Sequence, residues 1–103
     1  MVVEERIYTM APGTIPAMLE LYEREGLAVH KRNLGNLIGY FVSDIGDLNL
    51  LVQLWGFADM QDRAVRREKL WSDPEWLAFT AKVPAPLKMQ NRILLPTRFS
   101  PIQ

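Results

Sequence analysis

The clearest pattern along the chain is a pair of strand-like runs, Leu37 to Ile45 and Leu48 to Phe57, that meet at Gly46-Asp47. Glycine at the first central position of a two-residue loop suits a type II′ hairpin turn, because that position needs a positive φ. Strand side chains alternate between faces. In the second run Leu48, Leu50, Val52 and Leu54 form an aliphatic face, while Asn49, Leu51, Gln53, Trp55 and Phe57 form a mixed face of amides and large side chains. The first run is two-sided as well, with Ile38, Tyr40 and Val42 opposed to Leu37, Gly39, Phe41 and Ser43. A sheet that is apolar on both sides needs a cover on both. The aliphatic face is expected to take the helices, and the mixed face to meet a second subunit, a ligand, or both.

The remaining elements follow from periodicity and punctuation. Val2 to Met10 reads as a strand that turns Arg6, Tyr8 and Met10 one way and Val3, Ile7 and Thr9 the other, so Arg6 and Tyr8 reach toward the mixed face. Pro12-Gly13 ends it. Thr14 caps a helix with Ile15, Met18, Leu19 and Tyr22 on one stripe, and Gly26 is expected to stop that helix. Ala28 to Asn36 is polar and basic and reads as the connection to the hairpin. Asp59 caps a second helix that runs to about Trp71. Ser72-Asp73-Pro74-Glu75 restarts a short helix, which carries Trp76, Phe79 and Val83 on one side. Leu87 to Leu95 supplies the last strand.

The order strand, helix, strand, strand, helix, strand is the α+β, ferredoxin-like βαββαβ plan, a four-stranded antiparallel sheet with its helices on one face. With the mixed face left open, two such sheets packed face to face would form a dimeric α/β barrel, a homodimer through the sheet face.

Composition narrows the function classes. The chain, residues 1–103, is short enough to be one domain. Twelve basic and twelve acidic side chains cancel, which removes the electrostatic case for nucleic acid or an anionic membrane. Cysteine is absent, so disulfides, a thiol nucleophile and thiolate metal sites are excluded. No apolar run approaches the roughly 20 residues of a membrane span, and the start MVVEER lacks the features of a signal peptide. The expectation is a cytoplasmic protein without membrane insertion.

His30, the only histidine, is the first candidate general base, although its neighbours Lys31 and Arg32 equally suit an exposed loop. Tyr8 and Asn49 complete the candidate catalytic groups. Arg6, Gln53, Trp55, Trp76 and Arg92 are the candidate ligand-binding residues, with interface hydrogen bonding as the plainer role for the polar ones. Trp71, Trp76 and Phe79 suggest an aromatic wall, though aromatics at helical spacing commonly form core. One histidine without cysteine gives no metal set, and neither a phosphate loop nor another cofactor motif is present, so no cofactor is expected.

RIYTMAPG at 6–13, LIGYFVSDIGDLNLLVQLWGFAD at 37–59, WSDPEWLAF at 71–79 and QNRILLPTRFSP at 90–101 together resemble the NIPSNAP family. The resemblance implies the dimeric α/β barrel domain. Relatives look like small homodimers, larger members are linked to vesicle trafficking and mitochondria, and many bacterial ones have no assigned activity. The family pattern has a histidine two residues before the tryptophan of the second hairpin strand, where this chain has Gln53. Two readings of function result. One is a homodimeric NIPSNAP-like protein of unassigned activity that binds a small, partly apolar ligand or acts as an interaction module. The other is a cofactor-independent enzyme that works by oxygenation or proton transfer on a small organic substrate.

Overall fold

A computed structural model describes residues 1–103. The elements are β1 (Val2–Thr9), α1 (Ile15–Leu21), a π-helical turn (Tyr22–Gly26), α2 (Leu27–Leu34), β2 (Asn36–Val42), β3 (Leu50–Phe57), α3 (Met60–Trp71), α4 (Pro74–Thr80) and β4 (Lys88–Leu94). The strands form one sheet in the order β2-β3-β1-β4, and each neighbouring pair is antiparallel. This is an α+β fold with the βαββαβ order. Asp59 caps α3 by accepting from the Asp62 amide at 2.8 Å, and Asp73 caps α4 by accepting from the Glu75 amide at 3.0 Å.

The faces of the hairpin are the reverse of the expectation. Leu51, Gln53, Trp55 and Phe57 are all at least 97% buried. The apolar three of these share a core with Met18, Tyr22, Val29, Leu34 and Leu70 from the helices. The aliphatic residues Leu50, Val52 and Leu54 face outward and are half-buried, in register with Thr9, Ile7 and Glu5. The mixed face can serve as core because its polar groups serve one another. Trp55 Nε1 donates to Gln53 Oε1 at 2.9 Å, and Gln53 Nε2 donates to the Tyr40 hydroxyl at 3.5 Å. The two large aromatics also bury more apolar area than the leucines would.

The dimeric α/β barrel is not what this chain forms. The sheet is open, with β2 and β4 as unpaired edges. A second sheet was expected in order to cover the mixed face, and the chain's own helices already cover it.

The two-residue turn is also replaced. β2 ends at Val42 and β3 begins at Leu50, and residues 43–49 form a wider loop with positive φ at Gly46 (106°) and Asn49 (62°). Asparagine tolerates that region, and Asp44, Gly46, Asp47 and Asn49 crowd loop formers into a short span. The Asn49 carbonyl accepts from the Met10 amide at 2.8 Å, which ties the loop to the end of β1.

Gly26 does not stop the first helix. The helical run continues through the π turn to Leu34 and ends at Gly35, whose φ is 89°. Glycine is needed at 26 for a different reason. A Cβ there would stand 2.8 Å from Phe79 Cζ, so the backbone of the π turn lies directly against the α4 aromatic ring.

A buried ionic cluster fastens α3 to the sheet. Glu4 is fully buried. Its carboxylate accepts from Arg63 (2.8 and 3.2 Å), Arg6 (3.1 Å) and Asn91 (2.9 Å). Burial alone would raise its pKa. The hydrogen bonds from Arg63 and Asn91 and the charges of Arg6 and Arg63 outweigh that and hold it down at about 2.

Candidate ligand cavity

A cavity of about 280 Å³ opens between the sheet and the helices. That is near the small end of ligand sites, which run from about 300 to 1,000 Å³. Its floor is built from alternate strand positions that face the helices, among them Tyr8 of β1, Tyr40 of β2, Gln53 of β3 and Met89 of β4. Strand pairing fixes this floor: Gln53 lies opposite Tyr40 and Arg6, and Tyr8 lies opposite Met89. The roof carries Met18, Tyr22, His30, Trp71, Trp76 and Phe79, and the Val83–Pro86 segment forms one rim.

The π turn decides which helical residues meet over the cavity. In a regular α-helix, residues eight apart are separated by roughly 80° around the axis, and one inserted residue removes most of that offset. Tyr22 opens the turn and His30 lies eight positions on, in α2, and the Tyr22 hydroxyl lies 2.8 Å from His30 Nδ1. The His30 ring sits between Trp55 and Trp76, with both centroid distances 4.3 Å. Burial, joined by the positive charges of Arg6 and Arg67, lowers its pKa to about 3, so the imidazole is neutral at physiological pH. Burial and the neighbouring tyrosines Tyr40 and Tyr8 push the Tyr22 phenol well above its usual range.

Two further polar features reach the wall. Trp76 is held by its helix cap, since Asp73 also accepts from Asn33 and Arg32 of α2, each at 2.9 Å. Its Nε1 is the one buried side-chain polar atom in the chain without a hydrogen-bond partner. Tyr8 is the end of a chain of contacts that begins at Glu4. Arg6 bonds Glu4, and Arg6 Nε donates to the Tyr8 hydroxyl at 2.8 Å, leaving the phenolic proton free to be donated elsewhere.

Of the residues singled out from sequence, Tyr8, His30, Gln53 and Trp76 come together in the cavity wall. Trp71 and Phe79 join them there. His30 belongs to helix α2 and is 94% buried, not part of an exposed connection. Trp55 lies behind His30 and anchors Gln53. Arg6 stands one link behind Tyr8. Asn49 sits in the 43–49 loop away from the cavity, and Arg92 lies on the outer sheet face paired with Glu5 at 2.8 Å. Tyr22 falls in the core stripe expected for the first helix, and Tyr40 carries no functional signal of its own in the sequence. Their hydroxyls become legible only once the π turn and the true inner face are known. No group of three or more His, Asp or Glu side chains is arranged to hold a metal.

The NIPSNAP family model matches residues 3–101. The chain belongs to the NIPSNAP family. A NIPSNAP family protein from Agrobacterium tumefaciens is 48% identical, with a TM-score of 0.96 over 99% of this chain and 98% of that one. A NIPSNAP-like domain protein from Burkholderia xenovorans is 49% identical, with a TM-score of 0.93 over 97% of this chain and 88% of that one. Protein NipSnap of Drosophila melanogaster is 37% identical over 97% of this chain but only 36% of its own length. This NIPSNAP chain thus spans about a third of the curated relatives it matches. None of its helices is long and apolar enough to cross a membrane.

Proposed function

We propose that this NIPSNAP domain binds a small, partly apolar molecule in the cavity between sheet and helices. The observation that carries the reading is a largely apolar cavity with a few polar groups in its wall, Trp76 among the lining residues with an indole N–H that has no partner in the chain. A buried donor without an acceptor costs roughly 1–3 kcal/mol, and an acceptor atom on a bound molecule would remove that cost. The hydroxyls of Tyr8 and Tyr40 and the amide of Gln53 supply further polar contacts on the floor, and the aromatic roof supplies apolar area. Proton-transfer catalysis draws less support. A general base works best with a pKa near the operating pH, about 7, whereas burial holds His30 at about 3.

Native mass spectrometry of protein isolated from its own host without denaturation tests the reading. The expected spectrum has a species one small molecule heavier than the chain, which disappears on acid denaturation. In Thr80→Trp, which fills the cavity mouth, that species should be absent. Equal ligand content in the two proteins would overturn the assignment to this cavity.

A further inference from the structure

The sixteen residues that line the cavity include no Asp, Glu, Lys or Arg. Selectivity there rests on hydrogen bonding, and the side-chain groups divide unevenly between donors and acceptors. The Tyr8 hydroxyl accepts from Arg6 Nε at 2.8 Å, and its own proton has no acceptor in the chain. The Tyr40 hydroxyl accepts from Gln53 Nε2 at 3.5 Å, and its proton is likewise unclaimed. Trp76 adds an indole N–H without a partner. The acceptors, by contrast, are taken. Gln53 Oε1 accepts from Trp55 Nε1 at 2.9 Å, and the Tyr22 hydroxyl and His30 Nδ1 are committed to each other at 2.8 Å. The cavity-lining residues thus carry three unclaimed side-chain donors and no unclaimed carboxylate or amide oxygen.

Tyr8 is the donor whose hydroxyl the fold fixes most firmly. Glu4 is fully buried and accepts from Arg6 at 3.1 Å and from Arg63 at 2.8 Å. Arg6 is therefore held at one end and spends its Nε on the phenol oxygen of Tyr8. A hydrogen bond received from a guanidinium draws charge from that oxygen and makes its proton a stronger donor. Tyr40 stays a donor as well, because burial, joined by Tyr8, holds its phenol well above the usual range.

This imbalance selects among polar groups. A carbonyl oxygen offers two lone pairs and no proton, which complements donors that lack acceptors. A hydroxyl would bring a proton for which the lining side chains keep no free carboxylate or amide oxygen. A carboxylate would lose its hydration with no cation in the wall to replace it.

We propose that the molecule bound in this cavity is an uncharged carbonyl compound, a ketone or an ester, whose oxygen accepts from Tyr8 and whose apolar body lies against the aromatic roof. The inference rests on the cavity-binding reading and narrows it to a ligand class.

Titration with 4-phenylbutan-2-one and its analogues tests the two claims separately. Butylbenzene keeps the skeleton without the oxygen, 4-phenylbutan-2-ol carries a proton on it, and 3-phenylpropionate replaces the terminal methyl by a charged oxygen. Wild type is expected to bind the ketone at least about fivefold more tightly than each of the others. In Tyr8→Phe the advantage of the ketone over butylbenzene should fall at least about threefold with butylbenzene binding unchanged, which also reports that the variant is folded. The carbonyl carbon resonance of the ketone should move downfield on binding to wild type and move less in the variant. Should Tyr8→Phe fail to bind butylbenzene, Tyr40→Phe takes its place with the same expectation. Equal affinity of wild type for ketone and butylbenzene, an alcohol or acid that binds as tightly as the ketone, or an advantage that persists in the folded variant overturns the carbonyl proposal while leaving the cavity reading intact. Failure of wild type to bind any of the four probes counts against the cavity reading itself.

Discussion

The Tyr22 hydroxyl and His30 Nδ1 lie 2.8 Å apart although they are eight positions apart along one helical run. The extra residue in the Tyr22–Gly26 π turn brings them onto one line, and the two tryptophans that flank the imidazole exclude water from it. Functional consequences follow from both features.

The first concerns acid stability. In the unfolded chain His30 titrates near 6.5, and in the folded chain near 3, so between those values the unfolded state binds a proton that the folded state refuses. Stability is therefore complete above about pH 6.5 and is lost as pH falls toward 3, with a slope of up to about 1.4 kcal/mol per pH unit. Glu4, whose pKa drops from 4.5 to about 2, adds a loss of the same sign but only below pH 4.5. Because the chain has one histidine, the pH 6.5 to 5 interval isolates its contribution. Urea midpoints at pH 7, 6 and 5 should fall steadily in wild type and stay nearly level in His30→Gln. Parallel slopes for the two proteins would contradict the buried neutral imidazole.

Removing the buried carboxylate should be costly in a different way. Glu4→Gln leaves Arg6, Arg63 and Arg67 repelling one another without a counter-charge, and breaking such a buried pair costs about 3–5 kcal/mol. Chemical denaturation at pH 7 is expected to show a loss in that range. A loss below about 1 kcal/mol would mean that Glu4 is solvated, contrary to the cluster described.

Gly26 gives a test of the π turn. Glycine to alanine within an exposed helix ordinarily gains about 0.5–1 kcal/mol. Here the new methyl would meet the Phe79 ring at 2.8 Å, and overpacking of this kind costs about 1–3 kcal/mol. Gly26→Ala should accordingly lower the melting temperature, and the same change in a Phe79→Leu background should be close to neutral. A gain in stability in the wild-type background would show that Gly26 and Phe79 are not in contact.

Much of the fold was legible because it depends on local signals. Asp59 and Asp73 announce the helix starts, and the strand–helix succession determines the βαββαβ order. Alternation along Leu50–Phe57 separated the two faces correctly but could not say which was inside. The smoother face was the natural choice for the core. The structure chose the face whose amide, indole and phenol satisfy one another, a relationship between Gln53, Trp55 and Tyr40 that spans two strands and leaves no trace in periodicity. The dimeric barrel expectation failed with that choice. Gly26 misled for a similar reason, since a glycine required by a neighbouring ring resembles one required by a helix terminus. The cavity was half visible. Tyr8, His30, Gln53 and Trp76 stood out by residue type, whereas Tyr22 acquires meaning only from helical phase.

The most direct test of ligand binding in the cavity reads the Trp76 donor itself. The chain has three tryptophans, so a proton–nitrogen NMR spectrum resolves three indole N–H signals that substitution of each residue assigns. During titration with 4-phenylbutan-2-one and other small aryl and alkyl ketones and alcohols, the Trp76 signal should move downfield and saturate as it gains an acceptor. The Trp55 signal, already bonded to Gln53, should stay nearly fixed. A titration in which the Trp76 signal never moves, while exposed Trp71 alone responds, would contradict ligand binding in the cavity.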